Sequence, residues 1–278
     1  MIRKVLMQTV TPGGVQWRDD VVALEEPLEI RLAFGTAAAQ KRQSLAVTMR
    51  TPGQDSELAL GFLFTEGIIA APEQVLQIRQ LDENTLLATL QPGVEVDIAR
   101  LTRHLFTSSS CGVCGKASLD AVQTVACHYP APGQPVVDPA VLYELPNRLR
   151  AAQATFDLTG GLHAAALFDT AGNLLLLRED IGRHNAVDKV LGAALAQRMP
   201  LPFHNMILMV SGRAGFELVQ KATMAGLPML AAVGAPSSLS IELAEAGGLT
   251  LAGFLRGERV NVYTHHERIL SPATKSAS

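Results

Sequence analysis

Apolar residues alternate with polar ones through Leu28-Glu29-Ile30-Arg31-Leu32-Ala33-Phe34, and Ser44-Leu45-Ala46-Val47-Thr48-Met49-Arg50 does much the same. A period of two marks a half-buried strand. Asp55-Ser56-Glu57 then opens a helix through Leu60, Phe62 and Leu63 that ends near Gly67. Residues 75–81 and 84–90 predict another strand pair, with Asp82-Glu83-Asn84 as the turn. The second half has a different rhythm. Residues 174–177, 206–210, 229–233 and 249–254 are short continuous apolar runs, and helical stretches at 183–197, at 215–225 and up to Ala246 fall between them. Alternation of this kind predicts a largely parallel sheet with helices on both faces. Its polar turns would gather at the carboxyl ends of the strands, where such sheets bind ligands.

Three parts follow from these patterns. Residues 1–106 are β-rich. Residues 107–135 hold a Ser- and Gly-rich loop, a helix to about Ala126 and a linker marked by Pro130, Pro132 and Pro135. Residues 136–278 form an α/β part that can join the first in one compact domain.

Composition narrows the class. Hydrophobic residues make up 48% but aromatics only 5%, so the core is aliphatic and Ala-rich, which suits a sheet covered by helices. A net charge of −3 without a basic tail argues against broad nucleic-acid or anionic-membrane binding. No apolar run approaches the roughly 18 residues that span a bilayer, and residues 1–8 lack the pattern of a secretory signal. Three cysteines, two of them close together, are not a secreted disulfide framework. A cytoplasmic location is expected.

Cys111-Gly112-Val113-Cys114 is the first candidate for chemistry. Ser108, Ser109 and Ser110 precede it as capping candidates, and a helix starting there would favour a thiolate. Such a thiolate can take the outer sulfur of a donor persulfide and carry it onward, with the second cysteine assisting, protecting or releasing it. Two other readings stay open on spacing alone. Cys111, Cys114, Cys127 and His128 can make a structural zinc site, although Cys127 and His128 are adjacent. Thioredoxin-like exchange would need the pair near the start of a βαβ unit.

Polar turns supply a second candidate. Arg178-Glu179-Asp180-Ile181-Gly182-Arg183-His184-Asn185 stands between a strand and a helix, where N–H groups and Arg183 can meet phosphate. Alternatively, Asp180 caps the helix while Arg183 and His184 join a buried hydrogen-bond network. Ser211-Gly212-Arg213 and Ser237-Ser238 repeat the geometry. In Phe254-Leu255-Arg256-Gly257-Glu258-Arg259, Arg256 and Arg259 can clamp a diphosphate, Glu258 can accept from a guanine edge and Phe254 can stack on a base. A hairpin joining two strands fits the same residues. His265-His266 is expected at a solvated terminus, because neighbours on a strand face opposite ways. His163 is uninformative alone.

Several long segments together resemble the formate dehydrogenase accessory sulfurtransferases, the FdhD family. They are residues 57–69, Ser110-Cys111-Gly112-Val113-Cys114-Gly115, Thr159-Gly160-Gly161-Leu162-His163-Ala164-Ala165, residues 179–189 and Ser211-Gly212-Arg213, within a match from about residue 28 to 264. The resemblance implies a carrier that accepts persulfide sulfur from a cysteine desulfurase. It passes the sulfur to a molybdenum (or tungsten) bis(molybdopterin guanine dinucleotide) cofactor bound for formate dehydrogenase. It implies Cys111 as the persulfide carrier with Cys114 as its partner, and 254–259 as the cofactor-binding stretch. It also implies a cytidine-deaminase-like α/β layering without the zinc site, and a homodimer. A cofactor chaperone without sulfur chemistry is the alternative from the binding class.

Overall fold

The computed structural model describes residues 1–36, 39–96 and 129–270. The chain opens with a hairpin that the apolar pattern above does not announce. Strands β1 (Ile2–Thr11) and β2 (Gly14–Ala23) pair antiparallel along their whole length around a Pro12-Gly13 turn. They form a two-stranded ribbon of their own.

The two alternating stretches fold as expected into β3 (Glu26–Thr36) and β4 (Ala39–Arg50). Helix α1 (Asp55–Thr65) follows, then β5 (Val75–Asp82) and β6 (Thr85–Leu90). These four strands make one sheet in the order β4-β3-β6-β5, with β3 antiparallel to β4 and parallel to β6. Leu28, Ile30, Leu32, Leu86, Ala88 and Leu90 lie in the same buried cluster as Leu58 and Leu63 of α1. Arg50, 1% exposed, donates to the carbonyls of Glu26 and Glu83 and pairs with Asp55 at 3.0 Å, which closes the end of this sheet.

The second half contains α2 (Pro139–Ala151), α3 (Ala154–Thr159), β7 (His163–Asp169), β8 (Leu174–Asp180), α4 (Arg183–Ala196) and β9 (Met206–Val210). Then come α5 (Phe216–Met224), β10 (Met229–Ala232), α6 (Ser238–Ala246), β11 (Thr250–Arg256) and β12 (Arg259–Val262). Here the expectation of a largely parallel sheet is corrected. The strand order among the described residues is β12-β11-β10-β9-β7-β8, and only β9-β10 and β10-β11 are parallel pairs. β7 runs antiparallel to both β8 and β9, and β12 antiparallel to β11. Short turns are the reason. β7 reaches β8 through a tight Asp169–Asn173 turn whose carboxylate accepts from the N–H groups of Ala171 and Asn173, and so short a connection can only return antiparallel.

Helices cover both faces of this sheet, as expected. Ala165, Leu167, Leu208, Val210 and Leu230 face the cluster that also holds α1, α4 and α5. The alternate residues Ala164, Ala166, Ile207, Met209 and Ala231 pack with Leu142, Leu145 and Leu149 of α2. Burial on both faces explains why these strands read as unbroken apolar runs. Helix α2 hides in the sequence because Pro146 lies inside it, yet Asp138 caps it through Ala140 N–H at 2.8 Å and Pro139 takes the tolerated first position.

The two halves meet where α1 crosses α4. A Cβ on Gly61 would sit 1.9 Å from the Asp188 carbonyl oxygen, and one on Gly192 would sit 1.9 Å from that of Glu57. Only glycine permits two backbones to approach so closely. The linker prolines are also tied down. Buried Arg268 donates to the carbonyls of Ala131 and Gln134, which holds residues 131–134 against the end of the described chain.

Candidate functional site

Because β7 is inserted antiparallel between β8 and β9, the strands β8, β9, β10 and β11 all still point the same way. Their carboxyl ends therefore share one edge of the sheet, together with the start of β7. The polar turns picked out in the sequence all come to this edge.

Backbone hydrogen bonds stitch the turns together. Ser211 exchanges two bonds with Ala164: its N–H donates to the Ala164 carbonyl at 3.0 Å, and its Oγ accepts from the Ala164 N–H at 2.9 Å. Gly234 N–H donates to Gly212 O at 2.9 Å, and Phe254 N–H donates to Gly234 O at 3.2 Å. Small residues make this possible. A Cβ on Gly234 would lie 3.0 Å from the backbone of Arg213, and one on Gly253 would lie 3.1 Å from the Gly234 carbonyl. Ser237 caps α6 by accepting from Ser240 N–H at 3.2 Å. The Ser237-Ser238 turn is thus spent on its own helix.

For the 179–185 turn, the two readings of the sequence divide between residues. Asp180 is fully buried. Its Oδ1 accepts from Gly182 N–H at 2.8 Å and Asn185 Nδ2 at 3.1 Å, and its Oδ2 accepts from Thr51 N–H at 3.1 Å and pairs with Lys189 Nζ at 2.7 Å. Lys189 also donates to Thr51 O, and Asn185 reaches Met49 O and the Thr48 hydroxyl. This network holds the turn against the end of β4. Glu179 is engaged too, accepting from the N–H groups of Thr155 and Phe156 at the start of α3. Arg183 stays outside, exposed at the first turn of α4, while His184 pairs with Glu217 at 2.5 Å.

His163, silent in the sequence, becomes informative at this edge. Its ring lies beside Gly212, whose missing Cβ would be 3.3 Å from Nδ1. Burial first, then the positive charge of Arg183 and of His184, hold its pKa below the usual histidine value, with Asp180 opposing. The ring is therefore uncharged at neutral pH. Its sequence signal was the apolar run 164–168 between a Gly160-Gly161 turn and a polar turn, which marks β7.

Arg183, Arg213 and Arg256 are exposed, and none carries an ion pair among the described residues. The edge thus presents guanidinium groups to solvent, with the Glu217 carboxylate near enough to Arg183 to feel its charge. Between Arg256 and Arg259 the chain turns back through Gly257-Glu258, so the expected hairpin is present. β11 runs past the end of β10 by three residues, about 10 Å at the usual rise. A bulge between Gly253 and Arg256, with Phe254 at φ +53°, breaks the alternation there. Phe254 is left 45% exposed, while Leu255 is buried among the residues that pack on α2. Arg256, Gly257, Glu258 and Arg259 are all exposed, and Arg259 Nε donates to Asn261 Oδ1 at 3.4 Å. His265 is not a solvated terminal residue: its Nε2 lies 3.0 Å from Glu245 O and its Nδ1 3.3 Å from Glu267.

Cys111 and Cys114 lie outside the described residues, as do Cys127 and His128 of the zinc alternative. Among the described residues no group of three metal-binding side chains converges, and no helix is long and apolar enough to cross a membrane.

The model of the FdhD/NarQ family matches residues 23–270. The chain is 52% identical to the sulfur carrier protein FdhD of Mycolicibacterium paratuberculosis, over 94% of this chain and 96% of that one. It is 45% identical to the sulfur carrier protein FdhD of Saccharolobus solfataricus, over 90% and 91%. A crystal structure from Desulfotalea psychrophila, described as that of a formate dehydrogenase accessory protein, superimposes with a TM-score of 0.74 at 26% identity. That superposition covers 97% of this chain and 99% of the other.

Proposed function

The chain belongs to the FdhD/NarQ family, and on that premise we propose that it is a sulfur carrier serving the maturation of a formate dehydrogenase. Sulfur arrives as the outer atom of a persulfide on a cysteine desulfurase. The Cys111 thiolate attacks that atom, a new S–S bond forms on Cys111, and the donor cysteine leaves as thiolate. The acceptor is the molybdenum of a bis(molybdopterin guanine dinucleotide) cofactor, bound as substrate. Cys114 balances the release. When its thiolate attacks the sulfur of Cys111, the two cysteines join as a disulfide and the outer atom leaves as hydrosulfide. The two electrons that reduce it come from the pair, and a cellular thiol later restores both cysteines.

The single observation that carries this reading is the family match across nearly the whole chain, at about 50% identity to relatives named sulfur carriers. The arrangement of the sheet edge supports it. Exposed Arg183, Arg213 and Arg256 suit the phosphates of a dinucleotide, and exposed Phe254 suits a base. Within the same reading the fold is the cytidine-deaminase-like layering, the location is cytoplasmic and the assembly is a homodimer.

Mass spectrometry after incubation with a desulfurase and cysteine tests the proposal. Sulfur-atom additions are expected on the wild-type chain and are expected to vanish in Cys111→Ala. Loading unchanged in that variant would remove Cys111 from the role. Formate dehydrogenase activity retained in both Cys111→Ala and Cys114→Ala would leave only a chaperone.

A further inference from the structure

The His163 side chain takes no part in the hydrogen bonds that hold the sheet edge together. Its ring is half-buried at the start of β7, with Asp180 opposite it on β8. One side of the ring is set over Gly212, where a Cβ would lie 3.3 Å from Nδ1 and 3.5 Å from Cε1. Neither ring nitrogen makes a hydrogen bond to a described residue. An imidazole taken partly out of water normally gives its N–H to an acceptor. Here that donor is left for something that arrives from solvent.

The charges around the ring select what can arrive. Arg183 and His184, on the first turn of α4, both oppose a proton on it. Asp180 favours one, but its carboxylate is already paired with Lys189. On α5, Glu217 is turned to His184. Arg183 is exposed and carries no ion pair among the described residues. No side chain caps the first turn of α4, so its leading N–H groups add partial positive charge to the same corner. An anion that pairs with Arg183 cancels the charge that keeps His163 neutral and presents the acceptor that the ring lacks. Both effects favour the imidazolium, which gives the anion a second charged donor.

We propose that an anion of the phosphate class binds between Arg183 and His163, and that His163 takes up a proton from solvent as it does so. Binding of this kind rests on the nucleotide site proposed above, not on sulfur chemistry at Cys111. It makes affinity depend on pH in a stated direction. Affinity rises as pH falls from the pKa of the ring in the complex to that in the free chain, and levels off below it. The slope is at most about tenfold per pH unit, the limit for one proton.

Calorimetric titration of the full chain with guanosine diphosphate at pH 7, in two buffers of different ionisation enthalpy, counts the protons. The wild type is expected to take up a fraction of a proton per nucleotide bound. The sign is diagnostic, because a phosphate loses its last proton at about pH 6 and pairing with arginine drives that proton off rather than on. His163→Gln is expected to bind more weakly and without uptake. Arg183→Gln, an exposed change that leaves the buried contacts alone, is expected to weaken binding roughly tenfold and to lessen the uptake. Sulfate keeps both its charges throughout this range. In competition with the nucleotide it is expected to bind the wild type more tightly at pH 6 than at pH 7.5, and to lose that difference in His163→Gln. Heats that do not depend on the buffer, uptake that persists in His163→Gln, or unchanged affinity in Arg183→Gln would each overturn the proposal. Nucleotide binding without uptake leaves the nucleotide site standing, whereas no binding at all removes both.

Discussion

Lys189 Nζ and Asp180 Oδ2 lie 2.7 Å apart with both side chains wholly buried, at the point where the turn after β8 meets the end of β4. A buried pair of this kind is weak evidence of net stabilisation, but breaking it is costly, because the remaining charge has no water to turn to. Its position matters more than its energy. Asp180 sets the entry to α4, and therefore where Arg183 stands on the sheet edge.

Lys189→Met is expected to destabilise the fold by about 3–5 kcal/mol, since it strands the Asp180 carboxylate in the interior. Urea unfolding followed by circular dichroism measures the loss. Asp180→Asn added to Lys189→Met is expected to recover part of it, which separates a stranded charge from simple loss of packing.

At the crossing of α1 and α4, Gly61→Ala and Gly192→Ala each force a methyl group to within 1.9 Å of a backbone carbonyl oxygen. Overpacking of a rigid contact costs about 1–3 kcal/mol and more where neither backbone can yield. Each variant is expected to lower the thermal midpoint, and the double variant to lose less than the sum, since both act on one helix contact. A midpoint equal to wild type would mean that the helices separate freely.

His163 makes stability depend on pH in a stated direction. Its folded pKa is held below the ordinary value of 6.5 by burial and by Arg183 and His184. The unfolded chain thus binds a proton first as pH falls below that value, and stability drops through the window down to the folded pKa. Above it both states are neutral and the contribution is flat. His163→Gln is expected to reduce the fall in urea midpoint between pH 7.5 and pH 5.5. An unchanged pH profile would show that other groups dominate it.

Arg256→Ala and Arg259→Ala are each expected to weaken guanine nucleotide binding by about 1–3 kcal/mol if they pair with phosphate. Arg183→Gln and Arg213→Gln are expected to act in the same sense, because their guanidinium groups stand exposed on the same edge. Leu255→Ala is expected to act on stability instead, as its side chain is buried against α2. Calorimetric titration with guanosine diphosphate distinguishes the two kinds of effect.

Period-two alternation was enough to find β3 and β4, and continuous apolar runs were enough to find β9 to β11, because burial on one face or both writes those patterns directly into the sequence. The run at 174–177 also marked β8, although Leu174 and Leu175 are exposed on that edge strand. The glycines and serines of the turns after β8, β9 and β10 were also legible. The Cys111-Gly-Val-Cys114 pair and the segments around Asp180 carried the family. The sequence pattern did not show which way β7 runs, because strand direction depends on the length and chemistry of the turn at Asp169 rather than on the strand residues. Nor did it show that Asp180 faces inward to Lys189 while Arg183, three residues on, faces water. Those partners lie 9 and 129 positions away along the chain, at Lys189 and Thr51, and local periodicity holds no record of contacts made across a fold.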